Sequence, residues 1–315
     1  MALLLLTAGC APEQEPPPIR VSASYWIGYE PLFVAEQHRF FPKGSVHLVE
    51  NINASTLEQT LQGDSIDAVT VSLSRAINYI ETGYNITIVL VLGWSNGADM
   101  VLANPSIKSV ADLKGKRVGT ETGSVNTYLL LRALQENGLT LPDIEIVPLP
   151  NEDMDQHFRP KNLSAASVYG RAASRIKKMG AHTLFDSSQI PGEIIDVLLV
   201  RTPFLEAYPN RVADLIKGWL AAVDHLNTLE PNATFKASLM DDKDFEENRH
   251  LIRFATAKDN QSFLANDWAK LKEVFERRKK ANLLLTSSSK TSHLPNLDNN
   301  PFFTAVSQPT SFRGD

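Results

Sequence analysis

The fold class is decided by one stretch, Val21-Ser-Ala-Ser-Tyr-Trp-Ile-Gly-Tyr-Glu-Pro-Leu-Phe33, in which a short apolar segment passes directly into a turn and a helix start. Residues 21–25 are predicted as a strand that ends before Trp26. Pro31 lies where the next helix begins, since a proline in the first turn gives up no helical hydrogen bond. The predicted helix covers residues 32–38. A strand that passes straight into a helix is typical of α/β proteins.

Strand and helix patterns alternate along most of the chain. Further strands are predicted at residues 46–50, 66–71, 86–92, 100–103, 117–120, 144–149, 165–168, 183–185 and 194–200. Helices are predicted at residues 55–63, 75–81, 125–137, 172–179 and 212–226, with largely helical sequence continuing to residue 285. Ser55 with Glu58, and Ser109 with Asp112, have the spacing of a capping box, which satisfies free N–H groups at a helix start. This alternation predicts α/β units built on mainly parallel sheets.

The length of 315 residues is sufficient for about two domains, each with its own core. With 43% hydrophobic and 21% charged residues, the composition excludes a wholly disordered, collagen-like or disulfide-rich protein. The net charge of −5 argues against a nucleic-acid-binding protein, which usually carries a basic face. No run reaches the roughly 20 apolar residues that a membrane-spanning helix needs.

The only cysteine, Cys10, ends an apolar run that begins at Met1. A polar, proline-rich segment follows at residues 11–18 and predicts a tether that does not pack. This arrangement resembles the signal of bacterial lipoproteins, in which the cysteine carries the lipid. We therefore expect a protein that is lipid-anchored to the membrane, in the periplasm or at the cell surface. The run is short for an export signal and lacks a charged leader, so the alternative is a chance cysteine in a disordered terminus.

Four polar segments follow predicted strands, at residues 26–30, 72–74, 94–99 and 121–127. In parallel α/β sheets, ligands bind beyond the carboxyl ends of the strands. We therefore expect these segments to meet at one ligand-binding site, which would take its side chains from all four.

The first two segments offer aromatic, acidic and hydroxyl groups. Trp26 and Tyr29 are candidates for the flat, amphipathic walls that ligand clefts favour, and the alternative is packing between strand and helix. Glu30 is a candidate partner for an amine or a protonated ring nitrogen, or else a first-turn acid favoured by the helix dipole. Ser72 and Ser74 are candidate donors to an anion, or else caps of the next helix.

A helix start supplies the third group of candidates. Thr122, Gly123 and Ser124 precede the helix predicted at residues 125–137. The free N–H groups of a helix N-terminus attract carboxylate, sulfonate or phosphate groups, so this segment predicts an anion site. The alternative is that Ser124 only caps its helix.

Trp94, Asn96 and Asp99 form the fourth group, around an Asn-Gly turn. The aromatic ring and the acid are suited to a ligand site, whereas turn chemistry alone explains Asn96 and Asp99 equally well. Gln189, in a polar turn after the strand predicted at residues 183–185, is open to the same two interpretations.

Several of these segments resemble a known family, the ABC-transporter substrate-binding proteins of the nitrate/sulfonate/taurine and thiamine-pyrimidine-precursor group. The opening stretch quoted above resembles the opening of that family. Ser109-Val-Ala-Asp-Leu-Lys-Gly-Lys-Arg-Val118 resembles the entry to its second domain, and Gly123-Ser124 the start of its ligand-binding helix. Residues 185–193 with 196–200 resemble the return segment of a lipoprotein-like branch. The resemblance covers residues 21–226.

This resemblance implies an α/β, bilobal periplasmic-binding-protein fold of type 2, in which two α/β domains are joined by two crossover hinge segments. The hinges are expected near residues 103–108 and 196–203, and a ligand would be enclosed as the lobes close. The expected divisions are a signal and tether at 1–18, lobe 1 at 19–105 and 197–285, lobe 2 at 106–196 and an irregular tail at 286–315.

One segment departs from the pattern of that family. Where relatives have a short strand followed by an aromatic residue, Glu and Pro, this chain has Leu163-Ser-Ala-Ala-Ser-Val-Tyr-Gly-Arg171. Tyr169 takes the aromatic position and is implied as a ligand residue, whereas Gly170 and Arg171 replace the acid and the proline. Two outcomes stay open, a shifted ligand specificity and the loss of the ligand.

Signals of enzymes and metal sites are poor. The seven histidines show no His-Glu-x-x-His motif or short paired spacing that would indicate zinc. The chain has no Walker loop and no Gly-x-Gly-x-x-Gly motif. We therefore expect a protein without catalytic residues, cofactor or metal.

The function expected from the resemblance is that of a lipid-anchored, monomeric solute-binding protein that delivers a small molecule to an ABC permease. A receptor of the same fold that signals through a membrane sensor is the second interpretation, and a thiamine-pyrimidine-type enzyme is the third. Glu30 and Asp99 favour a cationic solute, whereas Gly123 and Ser124 favour an anion. The solute is therefore expected to be a sulfonate, nitrate, an amine or a pyrimidine-like compound. A zwitterion or a polar heterocycle would satisfy both groups.

Overall fold

Two separate β-sheets, of six and five strands, form the frame of the molecule. The structure, a computed structural model, describes residues 15–24, 26–51, 60–61, 63–159, 162–230, 235–238, 240–266 and 276–277. The strands in these residues are β1 (Ile19–Ser24), β2 (Val46–Asn51), β3 (Ala68–Ser72), β4 (Ile86–Ser95), β5 (Asp99–Ala103), β6 (Arg117–Thr120), β7 (Glu145–Pro148), β8 (Ala165–Tyr169), β9 (His182–Asp186), β10 (Ile195–Arg201) and β11 (Ile252–Phe254). The helices are α1 (Glu30–Gln37), α2 (Leu73–Glu81), α3 (Val125–Glu136), α4 (Met154–His157), α5 (Gly170–Lys178), α6 (Thr202–Ala207), α7 (Pro209–Thr228), α8 (Asp242–Asn248) and α9 (Ala257–Asn266).

Each sheet contains one inverted inner strand. The first sheet has the order β11-β4-β10-β3-β1-β2, and the second the order β7-β6-β8-β5-β9. In the first, β1 is parallel to β2 and β3, whereas β10 is antiparallel to its neighbours β3 and β4. In the second, β6 is parallel to β7 and β8, whereas β5 is antiparallel to β8 and β9. Both sheets are therefore mixed, and the prediction of mainly parallel sheets is wrong because of these inserted strands.

The chain passes between the sheets twice. It leaves the first sheet after β4 and enters the second at β5, through residues 96–98, and it returns between β9 and β10, through residues 187–194. Both crossovers therefore lie earlier in the sequence than the expected hinges. The hinge expected near residues 103–108 follows β5, and the hinge expected near residues 196–203 overlaps β10. A buried apolar strand has the same pattern in either sheet, so the sequence does not show which sheet takes up β5. We call the first sheet with its helices lobe 1, and the second lobe 2.

Helices cover both faces of each sheet. Leu198 and Val200 of β10 pack in one cluster with α1 and α7, and Val197 and Leu199 pack on the opposite face with α2. Trp219 of α7 is fully buried in the first of these clusters. On the second sheet, α3 covers one face and α5 the other. Strands buried on both faces need nearly continuous apolar sequence, which explains the composition of β10.

The part of the chain that follows α7 differs from the expected helical continuation to residue 285. Residues 235–238 are irregular. Between the short helices α8 and α9, β11 pairs with β4 at the edge of the first sheet. A strand of three residues is too short to give a periodic sequence signal, so this segment resembled its helical surroundings.

Some expectations concern single features of the chain. The capping box of Ser109 and Asp112 is confirmed, because both of its hydrogen bonds are present. The capping box expected at Ser55, the anchor residue Cys10 and the tail at residues 286–315 lie outside the described residues. In the part of the chain that the structure describes, no helix combines the length and apolar character needed to cross a membrane.

Asn260 joins α9 to the backbone of β4. Its side chain is fully buried, accepts a hydrogen bond from the N–H of Val91 at 2.8 Å and donates one to the carbonyl of the same residue at 3.0 Å. These bonds continue the edge pairing of β11, which ends at Phe254. Asn260 therefore satisfies backbone groups that a bare sheet edge would leave open.

We expect Asn260→Ala to lower the free energy of unfolding by about 2–4 kcal/mol, because both backbone groups of Val91 lose their buried partner. Urea unfolding followed by circular dichroism measures the change. Gln261→Ala, at the exposed neighbouring position, is the matched control. Equal unfolding midpoints for the two variants would contradict the assignment.

Candidate functional site

The two lobes face each other across one cleft. Strands β1, β3 and β8 end beside it, and the inverted strands β5 and β10 begin beside it, so both sheets contribute side chains. The space that no atom fills measures about 540 Å³ and is partly open to solvent. The lining residues are Ser24, Trp26, Tyr29, Thr70, Val71, Ser72, Arg75, Asp99, Ser124, Val125, Tyr169, Ile194 and Asp196.

Three aromatic side chains line the cleft, two from lobe 1 and one from lobe 2. Trp26 and Tyr29 follow β1 of lobe 1, and Tyr169 ends β8 of lobe 2. The rings of Trp26 and Tyr169 meet edge to face, with centroids 5.3 Å apart and planes at 75°. Trp26 is 7% and Tyr29 is 4% exposed. All three lie in the lining, where the sequence analysis expected them, and they offer flat surfaces with polar tips.

Asp196 is a buried carboxylate that two of these aromatic residues hold. Its Oδ2 accepts a hydrogen bond from Nε1 of Trp26 at 2.8 Å, and its Oδ1 accepts one from the hydroxyl of Tyr29 at 3.4 Å. Burial raises the pKa of Asp196 to about 6, against the opposing effect of these two donors. Burial and the charge of Asp196 raise the pKa of Tyr29 well above its ordinary value, so the phenol remains a donor.

The bond between Trp26 and Asp196 needs a glycine at position 28. A Cβ atom on Gly28 would lie 2.6 Å from Nε1 of Trp26 and 3.0 Å from Oδ2 of Asp196. Any larger residue would therefore push the indole away from the carboxylate. The turn after β1 is built so that the indole N–H reaches β10, the strand that returns from lobe 2.

An ion pair crosses the cleft. Nη2 of Arg75, on α2 of lobe 1, lies 2.6 Å from Oε1 of Glu121, which follows β6 of lobe 2. The two side chains are only 15% and 18% exposed. Burial opposes the charge of Arg75, but the neighbouring carboxylate outweighs it and raises the pKa of the guanidinium. This pair joins the two lobes directly.

Two serines of the lining cap helices that begin at the cleft. Oγ of Ser72 accepts a hydrogen bond from the N–H of Arg75 at 3.4 Å at the start of α2. Oγ of Ser124 accepts one from the N–H of Asn126 at 3.1 Å at the start of α3, and donates one to the carbonyl of Glu121 at 2.7 Å. Both serines therefore cap a helix and line the cleft at once.

Thr70 and Asp99 complete the buried polar lining. Thr70 is 1% exposed, and its hydroxyl has no hydrogen-bond partner among the described residues. Asp99 is 2% exposed, and its backbone N–H donates to the hydroxyl of Ser95 at 3.3 Å. A buried hydroxyl without a partner is unfavourable, so Thr70 is a group that a bound solute would satisfy.

Glu30 was expected in the site, but it has a structural role elsewhere. It is fully buried, and Oε1 accepts hydrogen bonds from the N–H groups of Ala237 and Ser238, the latter at 2.8 Å. These bonds tie the start of α1 to the irregular segment at residues 235–238. Glu30 is one residue from Tyr29, but successive side chains at a helix start point about 100° apart, so only Tyr29 faces the cleft.

Three further candidates lie outside the lining. Ser74 is buried in α2, and its hydroxyl has no partner in the described part of the chain. Trp94 packs against the core of lobe 1, with the guanidinium of Arg253 3.9 Å from its ring centroid. Asn96 is exposed, and its N–H donates to the carbonyl of Leu251 at 2.8 Å.

The remaining candidates also lie outside the lining of the cleft. Thr122 and Gln189 are exposed. Gly123 has a φ of +71°, and a Cβ atom there would lie 3.7 Å from Nδ2 of Asn78 on α2. Gly123 therefore marks a place where lobe 2 approaches α2 of lobe 1 beside the cleft.

A sequence pattern of hydrolases occurs in the first crossover, but its environment is different. Gly93-Trp-Ser-Asn-Gly97 has the spacing Gly-x-Ser-x-Gly, which in an α/β-hydrolase presents an exposed serine on a turn between a strand and a helix. Here Ser95 is 3% exposed, and the chain continues into a strand. The hydroxyl oxygens of Ser95 and Ser187 are 2.7 Å apart, and the N–H of Gly97 donates to Ser187 at 2.6 Å. Through Ser187, Ser95 therefore links the first crossover to the second.

Arg75 and Asp196 were not among the residues expected in the site, although each has a local signal in the sequence. Asp196 is the one acid in the apolar stretch of residues 194–200, and a lone charge in a buried strand is unfavourable unless something pairs with it. Arg75 lies in the first turn of α2, where the helix dipole disfavours a cation. Among the described residues, no group of three or more His, Cys, Asp or Glu side chains is arranged to hold a metal ion.

The fold recurs in solved structures of binding proteins. The alkanesulfonate-binding protein SsuA from Xanthomonas axonopodis pv. citri bound to MOPS is 20% identical, with a TM-score of 0.61 over 85% of this chain and 95% of that one. The ligand-binding component of an ABC-type import system from Staphylococcus aureus, with zinc bound, is 13% identical, with a TM-score of 0.66 over 85% and 93%. The expected bilobal periplasmic-binding-protein fold is therefore confirmed.

Sequence comparison points to the same group of proteins. A protein of Escherichia coli K12 that is named as an aliphatic sulfonates-binding protein is 29% identical over 173 residues, which are 53% of this chain and 54% of that protein. The chain thus spans about half the length of this curated relative. Residues 12–240, well over half of the chain, match the NMT1-like family. The protein belongs to the NMT1-like family.

Proposed function

We propose that this protein is an extracytoplasmic solute-binding protein that encloses a small polar organic molecule between its lobes and delivers it to the permease of an ABC importer. The observation that carries the proposal is the cleft itself, in which Trp26 and Asp196 of lobe 1 meet Tyr169 of lobe 2. Side chains that converge from two lobes hold a solute only while the lobes are together. Opening and closing of the lobes then provides capture and release.

The two crossovers supply the hinges for this motion. Residues 96–98 form the first, and the hydroxyls of Ser95 and Ser187 hold it against the second. Glu193, near the end of the second crossover, accepts hydrogen bonds from the hydroxyl of Tyr128 at 2.5 Å and from Nε of Arg132 at 2.8 Å, both on α3. The second crossover therefore stays with lobe 2 as far as Glu193, and the hinge lies next to residue 194.

Relatives support the transport part of the proposal. Two of those described above are named for the binding of sulfonates, and the third for an ABC-type import system. A solute receptor for an importer needs reversible closure and no chemistry on the solute. The cleft is suited to that task, because its side chains are held by helix caps, hydrogen bonds and one ion pair.

A contact in the cleft provides the first test. We expect at least one solute from a panel of amines, amino acids, aminopyrimidines, alkanesulfonates and nitrate to raise the melting temperature and change the tryptophan fluorescence. Trp26→Ala should weaken binding of that solute tenfold or more, because a buried aromatic anchor contributes about 1–3 kcal/mol.

Trp94→Ala is the matched control for this experiment, because Trp94 lies in lobe 1 but outside the lining. Its affinity for the solute in calorimetry should equal that of the parent protein. If Trp26→Ala folds normally by circular dichroism and binds as tightly as the parent, the solute does not bind in this cleft.

We further propose that Cys10 carries a lipid that anchors the protein to the outer face of a membrane. Cys10 is the only thiol of the chain, at the end of an apolar run and before a proline-rich tether. A lipid at this position would keep the receptor near its permease.

We expect Cys10→Ser to move the protein, expressed with its native upstream sequence, from the membrane fraction to the soluble fraction, or to block its maturation. Fractionation followed by immunoblotting measures this. Metabolic labelling with a fatty acid should mark the parent and not the variant. Identical fractionation and labelling of the two would overturn the lipid anchor and leave the cleft assignment untouched.

A further inference from the structure

We infer that the solute carries a cationic nitrogen, which binds to the carboxylate of Asp196 beside the rings of Trp26 and Tyr29. The inference rests on the proposed function and names the chemical class of the solute. It separates this chain from the two relatives whose names refer to sulfonates.

The charges of the lining favour a cation. Arg75 already pairs with the carboxylate of Glu121 at 2.6 Å. Asp99 and Asp196 add two carboxylates, which are 2% and 7% exposed. A carboxylate taken out of water needs a compensating positive charge or strong hydrogen bonds. The partners of Asp196 in the described residues are neutral, so a solute with a positive group would balance this carboxylate better than an anion would.

Asp196 has the geometry of a receptor for a donor. Its two partners, Nε1 of Trp26 and the hydroxyl of Tyr29, are neutral and occupy one position on each carboxylate oxygen. An ionised carboxylate can accept about four hydrogen bonds in all, so positions remain for an ammonium or amidinium group. No basic side chain in the described ranges forms an ion pair with Asp196, so the positive charge would come from the solute.

The aromatic rings around Asp196 suit the same group. A cation within about 6 Å of the face of a tryptophan or tyrosine ring is attracted by the ring electrons. The ring of Trp26 meets that of Tyr169 at a steep angle, and its N–H donates to Asp196, so both rings are held in place before the solute arrives. A carboxylate flanked by fixed aromatic rings selects an organic cation over a hydrated metal ion, because the rings replace part of the hydration shell.

The anion alternative would depend on Arg75 and on the helix starts at Ser72 and Ser124. Arg75 is engaged by Glu121, the N–H groups of Arg75 and Asn126 at the two helix starts already donate to the serine hydroxyls, and the hydroxyl of Ser124 donates to the carbonyl of Glu121. A sulfonate would have to displace Glu121 from Arg75 and remain near two buried carboxylates. We therefore expect simple anions to bind weakly.

The inference is tested with pairs of compounds that differ in charge and little else. The full chain is titrated by calorimetry at pH 7.5 with ethanolamine, choline and acetamidine, and with 2-aminoethanesulfonate against ethanesulfonate and nitrate. Compounds with a cationic nitrogen should bind, and 2-aminoethanesulfonate should bind at least tenfold more tightly than ethanesulfonate. Asp196→Asn should weaken the binding of the amine compounds at least tenfold. Glu145→Gln, which changes an exposed carboxylate on β7, should leave their affinity unchanged.

The stability of Asp196→Asn is a control that the variant folds. Burial raises the pKa of Asp196 from 3.8 to about 6, so the folded parent binds the proton more tightly than the unfolded chain. The parent therefore loses stability as the pH rises from about 4 through about 6. The amide of the variant has no charge to bury, and its oxygen can still accept the hydrogen bond from the indole N–H of Trp26. Asp196→Asn should therefore be at least as stable as the parent at pH 7.5.

Two results would overturn the inference, and they differ in what they leave standing. If ethanesulfonate or nitrate binds and Asp196→Asn retains or gains affinity for it, the solute is an anion and the solute-binding function stands. If no compound of either charge class binds or raises the melting temperature, both the inference and the proposed function fail.

Discussion

Both sheets of this protein depend on a strand that enters in the opposite direction from its neighbours. β10 is hydrogen-bonded to β3 and β4, and β5 to β8 and β9. Each inverted strand directly adjoins a crossover, so neither sheet is complete until the chain has crossed between the lobes. The crossovers are therefore fixed by backbone pairing on one side and free to bend only over a few residues. This constraint confines the connections between the two lobes to two segments, residues 96–98 and 187–194, where we propose that the hinges lie.

The same constraint builds the cleft. Parallel strands end at the edge where inverted strands begin, so the turn after β1 and the first residues of β10 lie side by side. Asp196 is the second residue of β10, and it meets the indole N–H of Trp26 there. A buried carboxylate that is held by neutral donors is suited to a cationic partner, and Tyr169 of the other lobe packs against the Trp26 that holds it. The function that we propose thus follows from the topology, since the inverted direction of β10 brings its second residue to the turn that follows β1.

Much of the fold could be predicted from the sequence, because alternating strands and helices leave a local signal. The sheet to which each strand belongs could not be predicted, because β5 and β10 are apolar on both faces whichever sheet they join. In the site, the strand ends were predictable and the side-chain directions were not, as the neighbours Tyr29 and Glu30 illustrate. Asp196 was missed because its partner Trp26 lies 170 positions away. Six candidates lie in the lining, and their contact with a solute stays a prediction: Trp26, Tyr29, Ser72, Asp99, Ser124 and Tyr169.

Closure of the two lobes over a solute would shorten the distance between them, and spin labels on the two lobes measure that distance. Thr82 follows α2 and Thr122 precedes Gly123, which approaches that helix across the cleft, and both threonines are exposed. In a Cys10→Ser background, cysteines at these two positions are the only sites for spin labels. Saturation with the amine compound that binds most tightly should shift the distance distribution measured by electron paramagnetic resonance to one short, narrow population. An unchanged distribution at saturation, with binding verified by calorimetry, would contradict the account.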